Sequence, residues 1–209
     1  MGIAFAGCAA APEMESTTPQ SSAGSVPTSS PFVSGAPDTM GSVPGSSTSP
    51  YMFRFKQTDP PSAQFNYRDR DLSFYFRPSP IMLYFRVENL QGRPVTIQWD
   101  DCRFLDVDGH LGKVAHNTTR WKDRYSTLAP AQIAGQDQYG DYVLPIEYLV
   151  DPGTAPGSDD QPHKPLIPED SSAPSYSGRT FGVDLAVTVE DRPRTYSFRF
   201  QVASVIPRQ

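Results

Sequence analysis

The sequence predicts an all-β fold, an antiparallel β-sandwich preceded by a disordered N-terminal linker. Three observations predict it. After residue 50, apolar and polar residues alternate with period two in run after run. Short turn-forming clusters separate those runs. The 22 prolines and 15 glycines among 209 residues exceed the usual level of roughly 12% for the two together. A period of two sends successive side chains to opposite faces, so one face is buried and the other solvated. Proline removes a backbone donor and breaks helix interiors, and none of the runs carries a helical stripe.

The chain begins small and apolar, Ile3-Ala4-Phe5-Ala6-Gly7-Cys8-Ala9-Ala10-Ala11, and turns polar at Pro12. From Pro12 to Pro50 it is nearly all Ser, Thr, Pro, Gly and Ala, with isolated Met14, Val26, Phe32, Val33, Met40 and Val43. Such a stretch buries too little apolar surface to offset its ordering entropy and reads as a flexible linker. Gly-Ser-Val-Pro occurs at 24–27 and again at 41–44, as low-complexity drift. At about 5–6 Å × √n, a tether of this length spans roughly 35 Å.

Strands are expected at Met52–Lys56 and Leu72–Phe76. Next come Ile81, Leu83, Phe85 and Val87, alternating with polar neighbours, and then Val95, Ile97 and Trp99. Arg103–Val107, Lys113–His116, Thr127–Ile133 and Asp141–Pro145 follow. Two long alternations close the chain, Phe181 to Glu190 and Tyr196 to Ala203. Asn89-Leu90-Gln91-Gly92-Arg93 is expected to join its flanking strands as a hairpin, as is Asp108-Gly109, a dipeptide that favours positive φ. Glu190 to Arg194 is expected to link the last pair. Between Asp151 and Gly178 lie six prolines and few apolar residues. This stretch reads as a long inserted loop within the 51–209 domain.

Charge and motifs narrow the function. The formal net charge is −5, and no Lys or Arg precedes Arg54. No basic patch interleaved with aromatics marks a nucleic-acid surface. Gly-x-Ser-x-Gly, His-Glu-x-x-His and phosphate-loop motifs are missing, so no catalytic residue, cofactor or metal is assigned. His110 and His116, with Asp106 or Asp108, frame one sharper alternative, a shallow metal site. The preferred reading is a solvated turn with His116 ending a strand. Asn117-Thr118-Thr119 fits a glycosylation acceptor and is read as chance. Trp121, Arg124, Tyr125, Tyr139, Tyr142 and Tyr148 form the candidate binding surface, because Tyr, Trp and Arg dominate interface hot spots. The competing reading has Trp121 and Tyr142 plugging the core. Cys8 and Cys102 are expected to have separate fates.

Phe5-Ala6-Gly7-Cys8 resembles the lipobox of bacterial lipoproteins. The resemblance implies cleavage before Cys8 and lipid attachment to it, with residues 1–11 a signal remnant and Met1 a late start. Arg86-Val87-Glu88-Asn89-Leu90-Gln91-Gly92-Arg93-Pro94-Val95-Thr96-Ile97-Gln98-Trp99-Asp100 resembles a pattern of uncharacterised bacterial envelope lipoproteins. There it marks consecutive strands of an immunoglobulin-like sandwich. The expected protein is therefore lipid-anchored in the cell envelope, mildly favouring the outer membrane. Its sandwich is a non-catalytic binding or assembly module with an envelope protein partner and no nucleic acid. The alternatives are an enzyme or small-ligand binder using 151–178 as a lid, and a structural subunit of an envelope machine.

Overall fold

The structure, a computed structural model, describes residues 43–44, 49–153 and 161–208. Among these the chain is all-β, its only helical pieces being single 3₁₀ turns. The strands are β1 (Val43–Pro44), β2 (Tyr51–Asp59), β3 (Pro61–Ser62), β4 (Asn66–Arg68), β5 (Leu72–Pro78), β6 (Leu83–Asn89) and β7 (Val95–Ile97). They continue as β8 (Arg103–Leu105), β9 (Leu111–His116), β10 (Ala131–Ile133), β11 (Gln138–Pro145), β12 (Thr180–Val189) and β13 (Arg192–Pro207). All pairings are antiparallel.

One layer runs β1-β2-β13-β12, with β7 and β8 side by side along the far edge of β12 and β10 outside β7. The other runs β4-β5-β6-β11-β9. Strand β9 belongs to both layers. Its first half pairs β8, Leu105 opposite Leu111, and its second half pairs β11, His116 opposite Val143. The alternation read from the sequence sets the buried faces: in β6, Leu83, Phe85, Val87 and Asn89 point inward. Across the layers, Phe76 meets Phe198 at a 4.4 Å centroid separation, and Phe74 meets it at 5.0 Å. Such offset and tilted ring pairs add specific geometry to a large buried apolar area.

Of three connections read from the sequence, two differ from expectation and one does not. The 89–93 segment is a crossover, not a hairpin: β6 pairs β5 and β11, whereas β7 pairs β10 and β12. Buried Asn89 holds it, its Nδ2 donating to Arg93 O at 2.7 Å and Ala134 O at 2.9 Å while Oδ1 accepts from Gln91 N. The last link is a two-residue turn, Glu190-Asp191, with Val189 opposite Arg192. Both turn residues have positive φ, +49° and +60°, the geometry whose twist matches a hairpin. The Asp108-Gly109 hairpin forms as expected, with Gly109 at φ +89°.

The 151–178 stretch is less of a loop than its prolines suggest. Leu166, Ile167 and Ala173 are core residues. Ile167 N donates to Pro80 O, and Leu166 N to Ile81 O. Leu149 and His163 form a bridge. Strand structure also begins inside the expected linker, because β1 pairs β2. Trp99, expected in a strand, sits in a 3₁₀ turn (Trp99–Asp101) yet is fully buried. The loop before β5 is fastened to β13 by Asp71, whose Oδ2 accepts from Arg194 Nη1 at 2.6 Å. That hydrogen bond holds the Asp71 carboxyl below its ordinary value of 3.8.

Candidate functional site

The candidate surface lies on the β9–β10 connection, and its foundation is buried. His116, the last residue of β9, is 5% exposed, and its ring stacks on Trp99 at 4.2 Å and 9°. His116 ends a strand as the sequence suggests, but it is buried and not part of a solvated turn. Its Nδ1 lies 3.1 Å from Asp141 Oδ2. Because the other groups around Asp141 are donors, the carboxylate is the acceptor and Nδ1 carries the proton. Tyr139 donates its hydroxyl to the same oxygen at 2.6 Å. The backbone N–H groups of Tyr142 and Asn117 reach Oδ1 at 2.7 and 3.2 Å. Asp141 is thus a buried hub with four donors on two oxygens. Burial, reinforced by Asp141, raises the Tyr139 hydroxyl far above its ordinary range.

From this hub the chain turns outward. Thr119 accepts from His116 N through Oγ1 and returns its own N–H to His116 O. Arg120 Nη1 donates to Asn117 O at 2.8 Å. A 3₁₀ turn follows (Trp121–Asp123), and Trp121 N donates to Gln161 Oε1 at 2.7 Å. Further along, Leu128 N reaches Asp100 Oδ1. The segment is therefore tied at its start, middle and end.

On top of it, Arg124 stands over two rings, 3.4 Å from the Trp121 centroid and 4.5 Å from that of Tyr125. Its Nη1 also donates to Trp121 O at 2.5 Å. Cation–π contact fixes a long cationic side chain that would otherwise be mobile. Trp121 is half-buried, while Tyr125 is 71% exposed. Arg120 and Lys122 flank the stack, with Asp123 the one acidic residue between positions 120 and 125.

The six candidate surface residues therefore divide. Trp121, Arg124 and Tyr125 come together. Tyr139 belongs to the buried hub. Tyr142 lies on the other face of β11, edge-on to Tyr84 at 6.1 Å. Tyr148 sits by the Asp108-Gly109 hairpin, where burial, with Asp106 and Asp108 adding, pushes its hydroxyl up to about 12. An ion pair between Arg179 and Asp108 closes that corner, with Arg179 over the Tyr176 ring at 4.4 Å. His110 and His116 do not share a site: His110 contacts Asp106 at 3.3 Å, and His116 faces Asp141. Among the described residues no three His, Cys, Asp or Glu side chains converge as a metal site requires.

Sequence reasoning missed Asp141, Gln161 and the buried state of His116. A signal for Asp141 was present: Tyr139, Asp141 and Val143 share one face of a strand, and an inward carboxylate needs donors. Gln161 carries no such signal, because its partner is 40 positions away. Cys102 is a buried free thiol whose Sγ lies 3.3 Å from Gln98 O, and burial pushes it up to about 12. Cys8 lies outside the described residues. A groove of about 350 Å³ is lined by Glu88, Asn89, Leu90, Gln136, Asp137 and Gln138. None of these belongs to the 151–178 stretch.

No helix among the described residues is long and apolar enough to cross a membrane. Comparison with protein-family models, curated proteins and solved structures found no match to this chain.

Proposed function

We propose that the chain is a lipid-anchored bacterial cell-envelope protein whose β-sandwich is a binding module acting by contact, not by chemistry. The lipid is carried on Cys8, and residues 12–50 are the tether. The observation that carries the binding reading is the Arg124 guanidinium held over the rings of Trp121 and Tyr125 on a surface loop anchored from beneath. An ordered cation between aromatic rings loses little side-chain entropy on contact, which is what an interface anchor needs. The lipobox-like Phe5-Ala6-Gly7-Cys8 supports the anchor.

A second reading, a ligand binder using 151–178 as a lid, draws on the Trp121–Gln161 hydrogen bond. That bond ties Gln161, a residue of the proline-rich stretch, to the backbone of the turn that carries the aromatic cluster.

Two measurements test the proposal. Radiolabelled fatty acid enters the protein in a bacterial host, and Cys8→Ser abolishes labelling and moves the protein to the soluble fraction. Delipidated envelope fragments sediment the Cys8→Ser protein, and Arg124→Gln combined with Tyr125→Ala releases it. Labelling that survives Cys8→Ser refutes the anchor. Sedimentation indifferent to the double substitution refutes the surface.

A further inference from the structure

We infer that the Trp121–Arg124–Tyr125 cluster binds an acidic polysaccharide, a polymer whose sugar rings carry carboxylate or phosphate groups. This rests on the binding-module reading and names its ligand class.

The first argument is charge. Arg120, Lys122 and Arg124 stand against Asp123 alone within the segment. Among the described residues none of the three forms an ion pair, unlike Arg179, Arg194 and Arg199, which each meet a carboxylate. Arg120 and Arg124 direct a donor to the backbone carbonyls of Asn117 and Trp121, which orients the guanidinium groups without neutralising them. Three oriented or unpaired cations within five residues form a local positive spot on a chain whose net charge is −5. Guanidinium groups bind carboxylate and phosphate through paired, charge-assisted hydrogen bonds.

The second argument is the ring. Tyr125 is 71% exposed, and Arg124 covers it from one side. An open aromatic face beside fixed cations matches a sugar ring, which offers a flat C–H surface to the ring and its acidic substituent to the cation.

The third argument is shape. The cluster lies outside the groove lined by Glu88 and Gln136, and its neighbours Lys122, Asp123, Ser126 and Thr127 are all exposed. A folded protein partner needs hot spots ringed by contacts that exclude water. The described residues that would form it here, Lys122, Asp123, Ser126 and Thr127, are polar and exposed and offer no apolar rim. An open site of one aromatic face and a few cations gives weak single contacts, which a repeating polymer multiplies through many equivalent sites.

The test is affinity electrophoresis of the full chain through gels containing polygalacturonate, a phosphomannan or neutral dextran, at about 20 mM salt, where screening is weak. At least one acidic polymer is expected to retard the protein, and dextran to leave it unchanged. Which polymer retards it assigns carboxylate or phosphate. Arg124→Gln and, separately, Lys122→Gln are expected to weaken retardation, the former by about tenfold. Lys122 is exposed and makes no hydrogen bond or ion pair among the described residues, so its loss leaves folding intact. Tyr125→Ala separates ring stacking from charge and is expected to weaken binding at unchanged net charge. Retardation by neither acidic polymer overturns the inference. So does retardation by dextran, or retardation that survives Arg124→Gln and Lys122→Gln. If envelope fragments still sediment the chain while both polymers fail, the ligand class is wrong and the binding module stands. If both assays fail, the module falls too.

Discussion

Replacing Asp141 with Ala removes the acceptor on which the surface loop rests. Four donors lose their partner: the Tyr139 hydroxyl, His116 Nδ1 and the N–H groups of Tyr142 and Asn117. His116 is 5% and Asp141 3% exposed, so water does not readily replace the lost oxygens. At about 1 kcal/mol net for each hydrogen bond the loss is roughly 4 kcal/mol. Relief of the carboxylate's own desolvation works in the opposite direction and keeps the figure from rising further. With a urea slope of about 2 kcal/mol per molar, the midpoint falls by about 2 M. Asp141→Asn is expected to cost less, because one oxygen still accepts while the new amide opposes another donor. Equilibrium urea unfolding, followed by far-ultraviolet circular dichroism, measures both variants. A second readout is the ionisation of Tyr139: with Asp141 gone, the carboxylate's charge and its hydrogen bond no longer add to burial, and the hydroxyl titrates at lower pH than in the parent protein. An Asp141→Ala midpoint within 0.5 M of the parent, on a scale where about 1 kcal/mol is already resolvable, would show that the hub does not carry the loop.

Three further outcomes are expected. Asp71 has a folded pKa below its ordinary 3.8, so its stabilising contribution is present above that value and is lost as pH falls through the lowered one. Arg194→Met removes the main cause, and urea midpoints measured from about pH 5 to well below 3.8 should show a shallower acid-side decline than the parent. Gly182→Ala places a Cβ 2.0 Å from the Phe198 carbonyl oxygen, a backbone atom that cannot step aside. It should destabilise by about 3 kcal/mol, lowering the melting temperature by roughly 6–12 °C in calorimetry. In a Cys8→Ser protein at pH 8, Cys102 should show no fast reaction with an aromatic disulfide reagent. Burial leaves almost no thiolate when the thiol is pushed up to about 12, and full reactivity returns in denaturant.

Much of the fold was legible locally, and the reason is the geometry of a strand. Phe74 with Phe76, Phe85 with Val87, and Val183 with Leu185 lie two apart and on one buried face, as their alternation required. The site was legible only in part. Trp121, Arg124 and Tyr125 lie within five positions of one another, and a tight turn brings them together. Tyr139, Tyr142 and Tyr148 looked equivalent in composition, yet strand parity sent Tyr139 inward and Tyr142 outward. His116 read as the solvated end of a strand, and only the contacts of Trp99, in a 3₁₀ turn, and Asp141, in β11, bury it. Leu166 and Ile167, flanked by Pro165 and Pro168, have no periodicity that would reveal a core role.

By itself, then, the sequence determined the class of structure. Alternation, proline and tight-turn chemistry are properties of neighbouring residues, and they specify strands, their buried faces and the Asp108-Gly109 hairpin. Tertiary structure alone decided which strands pair. The 89–93 segment crosses between layers because Asn89 satisfies carbonyls of both Arg93 and Ala134. It decided too that β9 joins the layers and that Asp141, 25 residues beyond His116, anchors it. These depend on donors and acceptors far apart in the chain. Each buried polar group must find a partner, and only the folded arrangement determines which one it finds.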